Sequence, residues 1–361
     1  MMLVEADGKA LLRAVGIPVP AGADAPGPWM VKAQVPVGGR GLAGGVVRCA
    51  SRAEVEAATR RIVGSRIKGH TVDAVLVEQA VGGQERYLSV MVDPAGYGLR
   101  VMWSAQGGVE IETAGSTQTR LCPPHAAAVA EALADLIAEE PEAWRRQVAD
   151  IGRALAELLI ERELALAEIN PLFVSAAGCI AGDAKIVVDL NAIERQQSIA
   201  DLIAARPGVY ADANRKLAEG FDYVELDPMG EIGLVTTGAG LSMMVIDEMT
   251  ARGAKPLNFC DVRTGQMRGS PVRLMRVLEW IVAAPALKAV LVNIFAGITD
   301  LSEFAELLAT AIDRTPALRV PVVARLVGRN AAEAKRILAE RHPTLFVTED
   351  LEEALARVTA L

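Results

Sequence analysis

Residues 232–241 read IGLVTTGAGL, an apolar run that ends in a glycine-rich turn. The run predicts a buried strand over residues 232–237, and the residues after the turn predict a helix that extends to about Arg252. The same order recurs downstream, with strands predicted at residues 256–261, 289–295, 320–326 and 345–347, each followed by a helix. This alternation predicts an α/β fold with a doubly wound, flavodoxin-like parallel sheet over residues 219–361.

The first 218 residues have a different pattern, in which strands and helices do not alternate regularly. Strands are predicted at residues 29–34, 75–78, 86–92, 99–104, 164–169 and 179–188. Helical periodicity is found at residues 126–162 and again around residues 199–218. The pattern is typical of a mixed α+β region, so we expect two domains, residues 1–218 and residues 219–361.

The composition argues against several functional classes. The chain has 361 residues, of which 52% are hydrophobic and 4% aromatic, and its net charge is −8. A general nucleic-acid-binding protein would normally show a basic excess. The apolar stretches fall short of the roughly 20 residues that a membrane helix needs, and the four cysteines form no CxxC pair. We therefore expect a cytoplasmic protein with neither a nucleic-acid nor a membrane partner.

A glycine-rich segment at residues 37–45, VGGRGLAGG, is the first candidate binding element. Glycines allow backbone N–H groups to approach a phosphate closely, and Arg40 adds a cation that can form two parallel hydrogen bonds. Lys32, in the preceding apolar strand, needs a charged partner, which a bound phosphate would supply. The alternatives are a simple β-hairpin with a glycine-rich turn and a strand lysine that faces solvent.

Two neighbouring segments carry oxygen ligands. Glu168 and Asn170 are two residues apart in a predicted strand, so both side chains lie on one face. The next strand returns after a turn and can place Asp183 beside them. Carboxylate and amide oxygens suit Mg²⁺ with bound phosphates, because this ion keeps several waters and needs few protein ligands. A surface hairpin with a few polar residues is the alternative.

The order of these features along the chain resembles the succinyl-CoA synthetase β-subunit family. The family pattern contains WVVKxQ, GGRGKAGGV, LVE, GGVEIE, EINPL and DGK. The corresponding segments here lie at residues 29–34, 38–46, 76–78, 107–112, 168–172 and 183–185, with ligase-domain matches at residues 238–241, 258–262 and 292–298. The resemblance implies an N-terminal ATP-grasp region, a C-terminal CoA-ligase domain and ADP-forming acid–CoA ligase activity.

The resemblance also implies a role for individual residues. The implied ATP contacts are Lys32, Gly39, Arg40 and Gly41 at the phosphates, and Glu78, Val81 and Glu85 around the adenine and ribose. Asn170 and Asp183 would hold Mg²⁺, and Glu168 would be the catalytic carboxylate beside the phosphorylated histidine. The implied acid-binding residues of the ligase domain are Thr237, Arg263, Arg268, Ala296, Gly297 and Ile298.

The implied reaction needs a second chain. In this family ATP phosphorylates a histidine, the phosphate passes to a carboxylate, and CoA displaces it to give a thioester. The histidines here are His70, His125 and His342, and none has a triad or a complete ligand set around it in the sequence. We therefore expect an α-type partner that carries the histidine and the CoA site, in an αβ or α2β2 heteromer.

The departures from the family pattern lie in the glycine-rich loop and at the acid-binding positions. The Lys of GGRGK is Leu42, the usual NGAG begins with Thr237, and the usual DVGGGA loop contains Arg263 and Arg268. Guanidinium groups bind carboxylates with two hydrogen bonds, so the loop is expected to favour an acid with an additional anionic group. Ala296, where glycine is usual, makes malate–CoA ligase an alternative to the succinate enzyme.

Two readings from other classes compete with this one. A non-catalytic nucleotide-sensing subunit would need no phosphoryl-transfer residues, but Glu168, Asn170 and Asp183 are all present. A single-chain ATP-grasp ligase would form its own acyl phosphate, which the ligase-type C-terminal half argues against. CoA-dependent ADP formation in the presence of an α subunit distinguishes the three.

Overall fold

A computed structural model describes residues 1–108 and 117–361 of the chain. The chain divides into two compact units, Met1–Val209 and Tyr210–Leu361. The domain boundary that we placed after Ala218 falls inside a helix of the second unit, Ala211–Glu219. The end of the GGVEIE-like segment, residues 109–112, lies outside the described residues.

The first unit is a mixed α+β structure, as the sequence pattern predicts. Its helices are α1 (Glu5–Ala14), α2 (Arg52–Ile62), α3 (Ala126–Leu136), α4 (Glu142–Glu161) and α5 (Gln197–Ala204). Its strands are β1 (Trp29–Ala33), β2 (Val46–Cys49), β3 (Arg66–Ile67), β4 (His70–Thr71), β5 (Val75–Gln79), β6 (Gln84–Asp93), β7 (Gly98–Ser104), β8 (Gln118–Cys122), β9 (Leu164–Ser175), β10 (Gly178–Ala181) and β11 (Lys185–Val188). The helical region predicted at residues 126–162 is two helices, and α4 begins directly after Pro141, which has no N–H to continue a helix.

Two antiparallel sheets organise this unit. One has the order β2-β1-β5, and helix α2 packs its buried side chains Val55, Ala58 and Ile62 against it. The other has the order β10-β9-β6-β7-β8, and β11 pairs with the first half of β9. Strand β9 therefore pairs with β10 along its second half and with β11 along its first, which places the turn between those two strands opposite the middle of β9.

Helix α1 packs closely on that turn. Leu11 and Leu12 are buried on one of its faces, and a Cβ added to Gly8 would lie 3.2 Å from Ala184 Cβ. The missing side chain at Gly8 lets the helix backbone approach the segment between β10 and β11. This close approach brings Glu5 and Lys9, one turn apart on α1, to the same place.

The second unit is the α/β structure expected from the alternating pattern. Its helices are α6 (Ala211–Glu219), α7 (Ala239–Ala251), α8 (Val272–Val282), α9 (Leu301–Asp313), α10 (Ala331–Arg341) and α11 (Leu351–Thr359). Its strands are β12 (Asp222–Glu225), β13 (Ile232–Thr236), β14 (Asn258–Asp261), β15 (Ala289–Ala296), β16 (Val322–Gly328) and β17 (Phe346–Thr348). Strands β13, β15, β16 and β17 form a parallel sheet in that order.

Strand β14 joins the unit differently from the other predicted strands. It pairs antiparallel with β12, and the side chain of Asn258 joins it to β13. The Asn258 amide accepts from Leu234 N and donates to Leu234 O, both at 2.9 Å. Leu257 N also donates to Ile232 O at 2.8 Å. A side-chain amide thus replaces part of the ladder, and β14 flanks β13 on the side away from β15.

Apolar side chains cover both faces of the parallel sheet. Leu234, Leu291 and Val323 pack with α7 and α11, whereas Val235, Val292 and Ala324 pack with α8, α9 and α10. None of the described helices has the length and apolar character that crossing a membrane would require. The thiols of Cys49, Cys122, Cys179 and Cys260 are all free and buried.

Candidate active site

The glycine-rich segment is the connection of a β-hairpin. Strands β1 and β2 pair antiparallel from Trp29 opposite Cys49 to Lys32 opposite Val46. Gly39 and Gly44 have φ of +70° and +76°, the left-handed region that favours glycine. The loop is closed by Gly45 N, which donates to Arg40 O at 2.8 Å. The glycine-rich segment therefore forms a β-hairpin, which was one of the alternatives raised from the sequence. What its loop can bind depends on the side chains that it directs inward.

Those side chains enter what we call the buried charge cluster. It consists of three carboxylates and three cations from five segments of the chain: Glu5, Lys9, Lys32, Arg40, Glu78 and Asp183. The charges sum to zero. Such a set is stable in a low-dielectric interior only when the partners are close and their remaining hydrogen bonds are satisfied.

Lys32 lies at the centre of the cluster. Its ammonium group donates to Glu5 Oε1 and to Gly182 O, each at 2.7 Å, and lies 2.7 Å from Glu78 Oε1. These three oxygens match the three N–H groups of a lysine. Burial would lower the pKa of Lys32, but the charges of Glu5 and Glu78 outweigh it and raise the pKa above its ordinary value. Lys32 therefore has the charged partners that a buried lysine needs, and these are two carboxylates of the chain itself.

Arg40 connects the glycine loop to the metal-ligand candidate. Its guanidinium donates to Ala33 O at 2.8 Å, to Glu5 Oε2 at 2.7 Å, and to both oxygens of Asp183 at 3.0 and 2.9 Å. The Asp183 side chain remains 33% exposed, and its pKa is raised, first by the loss of solvent and then by the charge of Glu5. Arg40 therefore holds the carboxylate in place and partly balances it.

Glu78 and the other adenine-region candidates occupy different environments. The Glu78 carboxylate is buried and accepts from Lys9 Nζ at 2.6 and 2.7 Å, so it faces the charge cluster. Val81 is half-buried and Glu85 is exposed. A Cβ added to Gly108 would lie 2.6 Å from Glu85 Oε2, so this carboxylate lies against the Gly107–Gly108 turn.

A second group of polar residues surrounds Glu168 on the larger sheet. Tyr87 donates its hydroxyl to Glu168 Oε2 at 3.1 Å, and Lys185 Nζ lies 3.5 Å from the same oxygen. Burial, and then the charge of Glu168, raises the pKa of Tyr87 to about 12, so the phenol stays a donor at neutral pH. The carboxylate is thus fixed from two neighbouring strands, with Lys185 directly opposite it on β11.

The two metal-ligand candidates are Asn170, in the middle of β9, and Asp183, in the turn between β10 and β11. Asn170 accepts from Gly108 N at 2.6 Å through Oδ1 and donates to Gly108 O at 3.1 Å, which assigns its amide orientation. Asp183 belongs to the turn that faces Asn170, between Ala181 opposite Leu172 and Lys185 opposite Glu168. Both offer hard oxygen donors, which fits a Mg²⁺ ion that keeps most of its water. No group of three His, Cys, Asp or Glu side chains suited to a metal occurs among residues 1–108 and 117–361.

Sequence reasoning missed several residues that shape this site. Glu5 and Lys9 were overlooked because helix α1 was not predicted, although charges four residues apart beside buried leucines were a usable signal. Tyr87 and Lys185 were also not singled out. A signal was available for Lys185, because it ends the segment that matches DGK and begins β11. None was available for Tyr87, because the register of β6 against β9 shifts between Arg86 and Leu88.

The acid-binding candidates lie in the second unit, at the carboxyl ends of its strands. Thr237 follows β13, and Gly238 N donates to Asp261 Oδ1 at 3.0 Å. Ala296 ends β15, and Ile298 is 95% exposed beside the exposed Gly297. In α/β folds the ligand crevice lies at this edge of the sheet.

The two loop arginines have different surroundings. Arg263 forms an ion pair with Asp222 at 2.8 Å, and Asp222 also pairs with Lys216 at 2.8 Å. Arg268 is exposed, and no carboxylate in the described part of the chain forms an ion pair with it. Both residues have φ of +49°, which shapes the loop before α8. The two arginines, which were given the same role from the sequence, therefore have different surroundings in the structure.

Comparisons with known proteins match the whole chain. A family model described as an ATP-grasp domain matches residues 2–174, and one described as CoA-ligase matches residues 235–359. The β subunit of succinate–CoA ligase (ADP-forming) from Chloroflexus aurantiacus is 38% identical over 99% of this chain and 98% of its own. The corresponding subunit 2 from Streptomyces coelicolor is 36% identical over 100% of this chain and 97% of its own.

The solved structures agree on the fold. ATP citrate lyase from Methanothrix soehngenii superposes with a TM-score of 0.76 at 16% identity, covering 99% of each chain. At that identity the likeness shows a shared fold. The two family models and the identity to the bacterial subunits confirm the resemblance drawn from the motifs: this chain belongs to the family of ADP-forming succinate–CoA ligase β subunits.

Proposed function

We propose that this chain is the β-type subunit of an ADP-forming acid–CoA ligase. It binds ATP with Mg²⁺ in its first unit and phosphorylates a histidine of an α-type subunit, which passes the phosphate to a carboxylic acid before the thioester forms. The observation that carries the proposal is the placement of three polar residues: Glu168 and Asn170 lie in β9, and Asp183 lies in the β10–β11 turn opposite them. A chain that only senses nucleotides has no need for all three.

Different residues of the first unit bind the phosphates, the nucleoside and the Mg²⁺ ion. Gly39, Arg40 and Gly41 bind the phosphates of ATP through their backbone N–H groups. The Arg40 guanidinium and Lys32 lie behind them in the charge cluster. Val81 and Glu85 line the nucleoside region together with the backbone beside Glu78. Asn170 and Asp183 hold Mg²⁺, which when bound neutralises phosphate charge.

Glu168 acts on the incoming histidine. Its carboxylate, fixed by Tyr87 and Lys185, accepts a hydrogen bond from the imidazole and orients the ring toward the γ-phosphate. A preorganised charge of this kind needs no rearrangement at the moment of transfer. Lys185 balances the carboxylate while the imidazole is absent.

The phosphorylated histidine comes from the partner, because each histidine of this chain either has another contact or is exposed in a strand. His125 caps α3 by accepting from Ala128 N at 3.1 Å through Nδ1, and His342 Nε2 lies 3.3 Å from Asp313 Oδ1. His70 is exposed in β4. The proposed assembly is an αβ or α2β2 heteromer in the cytoplasm, with CoA bound by the partner.

The acid binds at the carboxyl ends of the second unit's strands. Thr237 and the segment Ala296–Ile298 contact its carboxylates, and the exposed Arg268 adds a cation to the loop before α8. Succinate is the substrate named for the relatives, and the extra cation favours a dicarboxylate with a further polar or anionic group, such as malate.

The test is an acid panel assayed with the assembled enzyme. The chain is mixed with an α-type subunit, and CoA-dependent ADP formation is measured with succinate, malate and monocarboxylates. We expect activity with a dicarboxylate and none without the α subunit. Thioester formation by this chain alone, or equal activity with acetate and succinate, contradicts the proposal.

A further inference from the structure

The short hairpin β3–β4 packs across the glycine loop. Ile67 is buried in the core of the smaller sheet, and a Cβ added to Gly45 would lie 2.5 Å from its Cδ1. The next residue, Lys68, forms the hairpin turn with Gly69 at φ of +47° and +89°. The turn is therefore held directly over the loop by apolar packing.

This packing places an ammonium group on the loop. A Cβ added to Gly39 would lie 2.7 Å from Lys68 Nζ. Lys68 is exposed, and among the described residues no carboxylate forms an ion pair with it. The left-handed φ of Gly39 and the absence of a side chain there leave room for the ammonium against the backbone.

The other cations near the loop are already committed. Lys9 and Lys32 are buried with Glu5 and Glu78, and Arg40 is bound to Glu5 and to Asp183. Leu42, at the tip of the loop and 80% exposed, stands where the family pattern has a lysine. A polyphosphate at the outer side of this loop would therefore meet Lys68, a cation that no carboxylate of the described residues pairs with.

We propose that Lys68 is a nucleotide-binding residue that contacts the β- or γ-phosphate of ATP from the β3–β4 turn. This inference rests on the proposed function, because it requires ATP at the glycine loop. A flexible ammonium suits this position, since it can reach a phosphate oxygen without the fixed geometry of a guanidinium. It takes the place of the cation that Leu42 does not supply.

The test compares phosphate-bearing ligands on the full-length chain. Calorimetry with ATP and Mg²⁺ is carried out for the wild type, Lys68→Gln and Lys68→Arg, and AMP affinity is measured by competition. Lys68→Gln should weaken ATP binding roughly ten-fold, as expected for a charge-assisted hydrogen bond, and leave AMP binding unchanged. Lys68→Arg should retain most of the ATP affinity, and the effect of the glutamine should shrink at high salt.

A matched control and the contrary results separate this inference from the proposed function. Lys335→Gln removes an exposed lysine of the second unit and should not change ATP affinity. If the wild type binds no ATP, the proposed function fails. If it binds ATP and Lys68→Gln binds equally well, or loses ATP and AMP affinity in the same proportion, Lys68 is not a phosphate contact.

Discussion

Glu5 is the residue on which the charge cluster depends most. Its carboxylate is buried and lies 2.7 Å from Lys9 Nζ, Lys32 Nζ and Arg40 NH2. Glu5→Gln removes one negative charge, turns a neutral cluster into one with an excess cation, and replaces an acceptor oxygen by a donor. Breaking a buried ion pair in this way costs about 3–5 kcal/mol of folding free energy. We expect a loss of that size.

The pH dependence provides a second, independent readout. Burial would raise the pKa of Glu5, but the charges of Lys32, Lys9 and Arg40 hold it far below its ordinary value of 4.5. A group whose pKa is depressed by folding stabilises the native state above its unfolded pKa, and that contribution is lost as the pH falls through the folded pKa. Wild-type stability should therefore fall below about pH 4.5, and Glu5→Gln should fall less steeply there.

Urea titration followed by tryptophan fluorescence measures both effects. Trp29, Trp103 and Trp144 lie in the first unit and Trp280 in the second, so a Trp280→Phe background restricts the signal to the unit that contains Glu5. Glu56→Gln is the matched control, because its pair with Arg60 is 3.7 Å long and exposed. Such pairs contribute at most about 1 kcal/mol.

A double variant distinguishes charge balance from simple packing loss. Glu5→Gln combined with Lys9→Gln restores neutrality, so the pair should be destabilised by less than the sum of the two single variants. The reasoning is refuted if Glu5→Gln stays within about 1 kcal/mol of the wild type, a range typical of an exposed pair. Strict additivity of the two substitutions refutes it as well.

Three further predictions concern other residues. Arg263→Ala should lower the stability of the second unit by about 0.5–1 kcal/mol through loss of the Asp222 pair. Arg268→Ala should instead leave the stability to urea unchanged and raise the KM for the acid roughly ten-fold. Equal effects of the two variants in both assays would contradict this difference. Tyr87→Phe should lower kcat and leave the KM for ATP nearly unchanged in steady-state assays of the assembled enzyme, because the phenol orients the catalytic carboxylate and does not contact the nucleotide; a change confined to KM would argue against that role. Burial raises the pKa of Cys179 to about 11, so its labelling by a disulfide reagent at pH 8, taken as the difference from Cys179→Ala, should be far slower in the folded chain than in urea; equal rates would contradict the burial.

The fold was largely predictable because its signals are local. The apolar runs at β13, β15 and β16 are bounded by glycine turns, and each is long enough to specify a buried strand. The way in which β14 joins β13 was not predictable, because a side-chain amide, that of Asn258, supplies two of the hydrogen bonds that a backbone ladder would otherwise make. The alternation of apolar and polar residues gives no sign that a side-chain amide will take the place of backbone hydrogen bonds.

The candidate site was predictable as a set of residues but not as a set of partners. Lys32 was expected to need a negative partner, and it has two, Glu5 and Glu78, which lie far from it in the sequence. Partner choice among buried charges depends on which segments the fold brings together. Helix α1 supplies Glu5, and its position depends on tertiary contacts, among them the close approach of Gly8 to Ala184 and the hydrogen bond from Leu3 N to Ile186 O.

The most direct test of the account is phosphoryl transfer to the partner subunit. The chain is incubated with an α-type subunit and γ-labelled ATP with Mg²⁺, and label on histidine is measured after rapid quenching for the wild type, Glu168→Gln and Asp183→Asn. We expect alkali-stable label on the α-type subunit only, formed on the order of 10²-fold more slowly or worse by each variant, with folding intact. Label on this chain, or transfer by both variants at the wild-type rate, would contradict it.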